Sequence, residues 1–263
     1  MLIEANSLIH PSAIIDPSAQ LAEDVIVGPW TIIGADVEID SGTIISSHVV
    51  IKGACKIGKN NKIFQFCSIG EDCQDKKYQG EVTYLEIGDN NVFRESCTIH
   101  RGTIQDKGIT KIGSRNLFMV NVHIAHDCVI GNDIILANNT AAAGHVIIND
   151  RAILGGFSAI HQFCHIGNSV MCGAGTVILK DIPAFVMASG NPAKPFGINS
   201  EGLRRQGYSA SLITEIKRAY KIVYRQQLSI EDAISKLQEM AQQHDAIQLL
   251  AQSLVQSSRG IIR

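Results

Sequence analysis

Several things are missing from this chain, and each absence narrows what it can be. No run of roughly 18 apolar residues is present, so no segment reads as a membrane-spanning helix. No basic start followed by an apolar stretch resembles a secretion signal, and the expectation is a cytoplasmic protein. The seven cysteines (55, 67, 73, 97, 128, 164 and 172) never fall into CxxC spacing, which favours reduced, buried thiols over disulfides or a thiolate zinc site. A net charge of -2 gives no general footing for nucleic acid. No Gly-x-Ser-x-Gly elbow is present, so an acyl-enzyme on serine is not expected.

What is present is a repeat. An aliphatic or similarly apolar residue recurs at every sixth position from Ile9 to Ile69, returns as Ile87, Phe93 and Ile99, and runs again from Ile112 to Ile178, one residue out of phase. A hexad carries one short strand and its corner, and its buried side chain needs neighbours above and below, so residues 1–189 are predicted to form a parallel β-helix. Three hexads make a triangular coil, and residues 18 apart should stack at about 4.8 Å. The apolar residue is often followed by Gly, Asp or Asn, as in Ile57-Gly58, Ile87-Gly88 and Ile112-Gly113, which places the turn there. Two charged interruptions, near 70–83 and 100–110, read as loop excursions from the prism.

The hexads fade after Ile178, and Pro183, Pro192 and Pro195 mark a change of architecture. Residues 190–263 are expected to form a small helical domain. Leu212, Ile213, Ile216, Ala219, Tyr220 and Val223 have helical periodicity; Ser229 with Asp232 caps a second helix; a third covers Ala246 to Val255. This region carries ten Lys/Arg against six Asp/Glu, so its net charge is +4 and an acidic partner is one reading of it. A prism with flat faces also favours a closed homo-oligomer such as a trimer.

Five of nine histidines crowd one stretch: His123, His126, His145, His161 and His165. His126, Gly144 and Gln162 are successively 18 apart and should form a ladder. Zinc is one reading of the cluster, but His123-x-x-His126 has no matched carboxylate or thiolate set apart from Cys128, and neither metal nor cofactor is expected. A satisfied structural cluster is another. The third is acyl transfer by direct attack. His126 would act as general base, Asp127 or a backbone carbonyl would orient its ring, and the Gly144 N–H would stabilise the oxyanion.

Ile99 to Thr103, Asn121 to Cys128, Ala143 to Val146, His161-Gln162-Phe163, Gly190-Asn191-Pro192 and Phe196 to Arg205 carry a family resemblance over essentially the full length. The chain resembles the UDP-N-acetylglucosamine O-acyltransferases that open lipid A biosynthesis. That resemblance implies a left-handed helix, a homotrimer, and transfer of an R-3-hydroxyacyl group from acyl carrier protein to the 3-hydroxyl of UDP-N-acetylglucosamine in a cleft between subunits. His126 matches the base and Gly144 the oxyanion donor. Asp75 and Lys77 match contacts to the sugar and the acyl 3-hydroxyl region, and His123, His145, His161 and Gln162 match further nucleotide-sugar contacts. Asn199, Glu201 and Arg205 match the nucleotide end, and Ala174 the end of the acyl groove, for a chain of roughly 10 to 14 carbons. Arg218, Lys221 and Arg225 present a basic helix face for carrier-protein docking. Gln206 departs from the family pattern, which has arginine there. Transfer to another UDP-sugar, including a 3-amino sugar, is the competing enzyme reading; an inert scaffold is the competing non-enzyme one.

Overall fold

The hexads become three parallel sheets that wrap one interior. In the computed structural model, which describes residues 8–263, two-residue strands alternate among a nine-, an eight- and a ten-stranded sheet. Ile14 pairs with Ile32 and Ile135 with Ile153, which is the 18-residue coil. Where the excursions intervene the register jumps, so Ile63 faces Phe93, and Phe93 faces Phe118 with rings stacked 4.9 Å apart. From Val27 onward the inward hexad residues, among them Ile33, Ile51, Ile69, Ile99 and Ile124, are buried. Each contributes about 1.5–3 kcal/mol relative to an exposed side chain, and coils above and below supply its walls.

The turns are not where the Gly and Asx pairs suggested. The left-handed residue lies three positions after the apolar one, at Asp36, His48, Asn60, Asp127 and His145, and few of these are glycine. Glycine directly after the apolar residue answers a different demand: a Cβ on Gly88 would stand 2.7 Å from the Gly113 carbonyl oxygen of the next coil. Stacking, not backbone angle, keeps that position small.

Three corners result. The first, between the ten- and nine-stranded sheets, carries Trp30, His48 and Phe66 in a ladder of ring contacts. The second joins the nine- and eight-stranded sheets, and both excursions leave from it: one between the strands Ser68–Glu71 and Tyr84–Ile87, the other between Thr98–His100 and Ile109–Ile112. The third is tied internally by asparagines. Asn91 Nδ2 donates to Asn61 Oδ1 at 3.0 Å, and Asn91 Oδ1 accepts from the Asn116 N–H at 3.0 Å.

Past the last regular coil the strand Val186–Ser189 still joins the ten-stranded sheet, and Lys194–Ile198 pairs antiparallel with it as an edge, where Pro195 leaves no inner ladder short of a donor. Four helices follow: α1 (Ser200–Arg205), α2 (Ala210–Arg225), α3 (Ile230–Ala241) and α4 (Asp245–Val255). Ser229 caps α3, accepting from the Asp232 N–H at 3.0 Å while its hydroxyl donates to the Asp232 carboxylate. Helix α1 has no counterpart in the sequence reading, being too short for a periodic signal. All seven cysteines are free and buried.

Candidate functional site

The second corner collects the histidines. His126 and Asp127 form the turn after the strand His123–Ile124, Gly144 and His145 lie one coil on, and Gln162 and Phe163 one coil further. The ladder expected of His126, Gly144 and Gln162 is therefore present as a run of stacked turns. His145 N–H donates to the His126 carbonyl at 3.0 Å, and Phe163 N–H to the Gly144 carbonyl at 3.1 Å.

His126 Nδ1 lies 2.9 Å from Asp127 Oδ2. The carboxylate can only accept, so Nδ1 carries a proton, and in the neutral ring the lone pair is on Nε2. Nε2 faces Gly144, where a Cβ would come within 2.6 Å of it. Among the described residues the Gly144 N–H makes no hydrogen bond. A proton acceptor and a free backbone donor thus share one small space, and glycine is required there so that the ring can lie against the backbone.

Burial works to raise the Asp127 carboxyl, but bonds from His126 and Thr103 outweigh it and hold it below the ordinary value. His145 meets His126 edge-on at 5.0 Å, stacks on Phe163 at 4.4 Å, and its Nδ1 bonds Asp106 at 2.9 Å. His123 bonds Thr98 at 2.8 Å, and burial, aided by His126, lowers its pKa. His100, edge-on to His123 at 5.1 Å, is pushed down to about 4 by burial and by His123. Its Nδ1 has no partner.

Asp75 and Lys77 sit on the first excursion, which emerges from this same corner; the Asp75 carboxylate accepts from the Lys77 N–H at 3.0 Å. On that loop burial pushes the Cys73 thiol up; the bond from the Asp75 N–H opposes this, and the carboxylates of Asp75 and Asp127 add to the rise. His161 and Gln162 are exposed one coil above Gly144.

Other expected residues are not brought to this corner. Ala174 is exposed at the first corner. Asn199 is buried as the N-cap of α1: it accepts from the Gly202 N–H and donates to the Ser169 carbonyl, at the third corner. Gln206 reinforces this attachment by accepting from the Ser169 hydroxyl at 2.8 Å. Glu201 pairs with Arg204 and Arg205 in the open. On α2, Arg218 pairs with Glu215, and Lys221 and Arg225 are exposed.

His126, Asp127 and His145 place ligand atoms within 4.8 Å of one another. Yet Asp127 already accepts from Thr103 and His126, and His145 Nδ1 faces Asp106, so these donors are committed to one another. Asp106 was not singled out from the sequence, and Thr103 entered only as the last residue of the Ile99 to Thr103 stretch, with no role attached to it.

Comparison with known proteins accords with this geometry. A family model described as "Udp N-acetylglucosamine O-acyltransferase; Domain 2" matches residues 181–262, and a six-repeat bacterial transferase hexapeptide model matches 18–53. The acyl-[acyl-carrier-protein]--UDP-N-acetylglucosamine O-acyltransferase of Pseudomonas syringae pv. tomato is 60% identical over 257 residues, 98% of this chain and 100% of that one. The protein of the same name from Thiobacillus denitrificans is 57% identical over 97% of this chain and 99% of its own. The solved structure of LpxA from Acinetobacter baumannii superposes with a TM-score of 0.96 at 55% identity, covering 98% of this chain and 100% of that one. The prism is a left-handed parallel β-helix with a small helical C-terminal part. With relatives this similar along nearly its whole length, the chain belongs to the UDP-N-acetylglucosamine O-acyltransferase family.

Proposed function

We propose that this enzyme moves an R-3-hydroxyacyl group from acyl carrier protein to the 3-hydroxyl of UDP-N-acetylglucosamine, the opening reaction of lipid A biosynthesis. The observation that carries the mechanism is the Asp127–His126 pair with its free Nε2 lying against Gly144. Nε2 takes the proton of the sugar hydroxyl as its oxygen attacks the thioester carbonyl. The Gly144 N–H meets the oxyanion that forms. Collapse breaks the C–S bond, and the departing thiolate receives the proton from His126. Asp127 keeps the ring in the required tautomer and stabilises the imidazolium.

Asp75 and Lys77 then bind the sugar and the acyl 3-hydroxyl region, and His123, His145, His161 and Gln162 line the nucleotide-sugar path. Asn199, Glu201 and Arg205 hold the nucleotide, with Arg205 offering a forked donor set to phosphate. Their attachment to another corner supports a site closed by a neighbouring copy in a homotrimer. Calorimetry on Arg205→Ala checks this, with weaker UDP-sugar binding expected. Ala174 ends the acyl groove, and Arg218, Lys221 and Arg225 meet the acidic carrier protein in the cytoplasm. No helix of the described residues is long and apolar enough to cross a membrane.

The test is to incubate the protein with UDP-N-acetylglucosamine and an equal mixture of 3-hydroxyacyl carrier proteins, then weigh the products. One dominant UDP-3-O-acyl product is expected, with its chain length read directly. His126→Ala should lose on the order of 10²–10⁴ in turnover while staying folded; near-parental turnover would remove His126 from the base role.

A further inference from the structure

The second excursion begins and ends on Asp127. At its start Thr103, 1% exposed, donates its hydroxyl to Asp127 Oδ2 at 2.6 Å and its N–H to both carboxylate oxygens at 3.0 and 3.1 Å. At its end the buried Thr110 hydroxyl accepts the Asp127 N–H at 2.8 Å. The Thr103 carbonyl closes the loop between them by accepting from the Gly108 N–H at 3.0 Å. Arg101, also buried, fastens the root of this excursion to the first one through the Gly70 carbonyl, the Asp72 carboxylate and the Tyr78 hydroxyl. Asp127 occupies the left-handed position of its corner, at a φ of 58°, as Asp36 and His145 do in theirs.

The oxygen that Thr103 Oγ1 reaches is the one that faces His126 Nδ1. Three donors on one oxygen, the Thr103 hydroxyl and N–H and His126 Nδ1, fix its direction and share its charge, so the imidazole is held in place.

We infer that Thr103 is a positioning residue for the acyl transfer, acting through Asp127 on the orientation and basicity of His126. The inference rests on the reading of His126 as general base. Removing the hydroxyl has two consequences. The carboxylate has one tether fewer, so the ring spends less time aligned and kcat falls. Its charge is also less shared, so the imidazolium is favoured and the acid limb of kcat/KM moves to higher pH. The other titratable and charged groups facing the pair are His145, with Nε2 4.0 Å from Asp127 Oδ2, Asp106 behind His145, His123 and His100 beside His126, Arg101 at the loop root, and the Cys73 and Cys128 thiols.

The experiment measures kcat, KM and their pH profiles for the full chain and for Thr103→Val, Thr103→Cys, Thr103→Ser and His126→Ala. Thr103→Val keeps shape and backbone donor but loses the hydroxyl. It should drop kcat about tenfold, leave KM for the UDP-sugar near the parent value, and raise the acid limb. Thr103→Ser should restore both readouts, and Thr103→Cys, a weaker donor, should fall between and carry the test if the valine variant does not fold. A parental kcat with an unmoved limb in the valine or cysteine variant overturns the inference. So does a serine variant as impaired as the valine one, since that would mark a packing role. If His126→Ala retains turnover, the base reading fails and the inference with it; if it is inactive while Thr103→Val behaves as the parent, only the inference fails.

Discussion

The second and third corners both bury polar side chains, but they spend them differently. At the third corner Asn61, Asn91 and Asn116 repeat one arrangement: each amide satisfies the neighbouring coil and is satisfied by it. At the second corner the backbone turns stack, but the polar side chains do not repeat one arrangement. His100 keeps an unpartnered Nδ1, Gly144 keeps a free N–H, and Asp127 is gripped by a loop instead of by the next rung. A polar ladder that repeats holds the solenoid together; polar groups that break the repeat are held in readiness for something outside it.

That contrast can be attacked from either side. Gly144→Ala should be the most damaging to activity, because its Cβ would stand 2.5 Å from His126 Cε1 and force the ring aside. A loss of about 100-fold in kcat with an unchanged folding midpoint is expected, and an unimpaired variant would mean that Nε2 does not act from this position. Asn91→Ala should do the reverse. It strands the Gly113 carbonyl and the Asn116 N–H, and should cost about 2–3 kcal/mol in urea unfolding without altering turnover per folded molecule. A loss of activity at constant stability would erase the distinction between the corners.

The smallest effect is a slope. His100 has its folded pKa lowered from 6.5 to about 4, so the unfolded chain binds the extra proton across that window. Its contribution to stability is complete above pH 6.5 and is lost as pH falls towards 4. Urea midpoints taken at pH 7, 6 and 5 should therefore decline, and His100→Gln should flatten the decline. An identical decline in that variant would place the cause elsewhere.

The architecture was legible because hexads are local: each apolar residue announces its own strand, and equal spacing announces the stack. His126 and Gly144 were legible for the same reason, being 18 apart with no loop between them. Thr103 was not, since it meets Asp127 across 24 residues and the excursion has already destroyed the register by which such a pair would be noticed. Asn199, Glu201 and Arg205 could be named by resemblance but not placed, because no periodic signal ties α1 to the third corner. The turn position was misjudged because glycine was credited with a backbone role at sites where the crowding of stacked coils alone requires it.

Six thiols lie inside the coils between residue 55 and residue 172 and a seventh, Cys73, is buried on the first excursion, so those six are sealed from solvent while the coil is closed. The molecule therefore carries its own set of tally marks. In a solenoid each coil leans only on its neighbours, so opening can be concerted or can creep inward from an end. Under a thiol-capping reagent and mild denaturant, the first route takes molecules from no label to full label with little between. The second leaves a graded series of masses whose order along the chain records which end yields first.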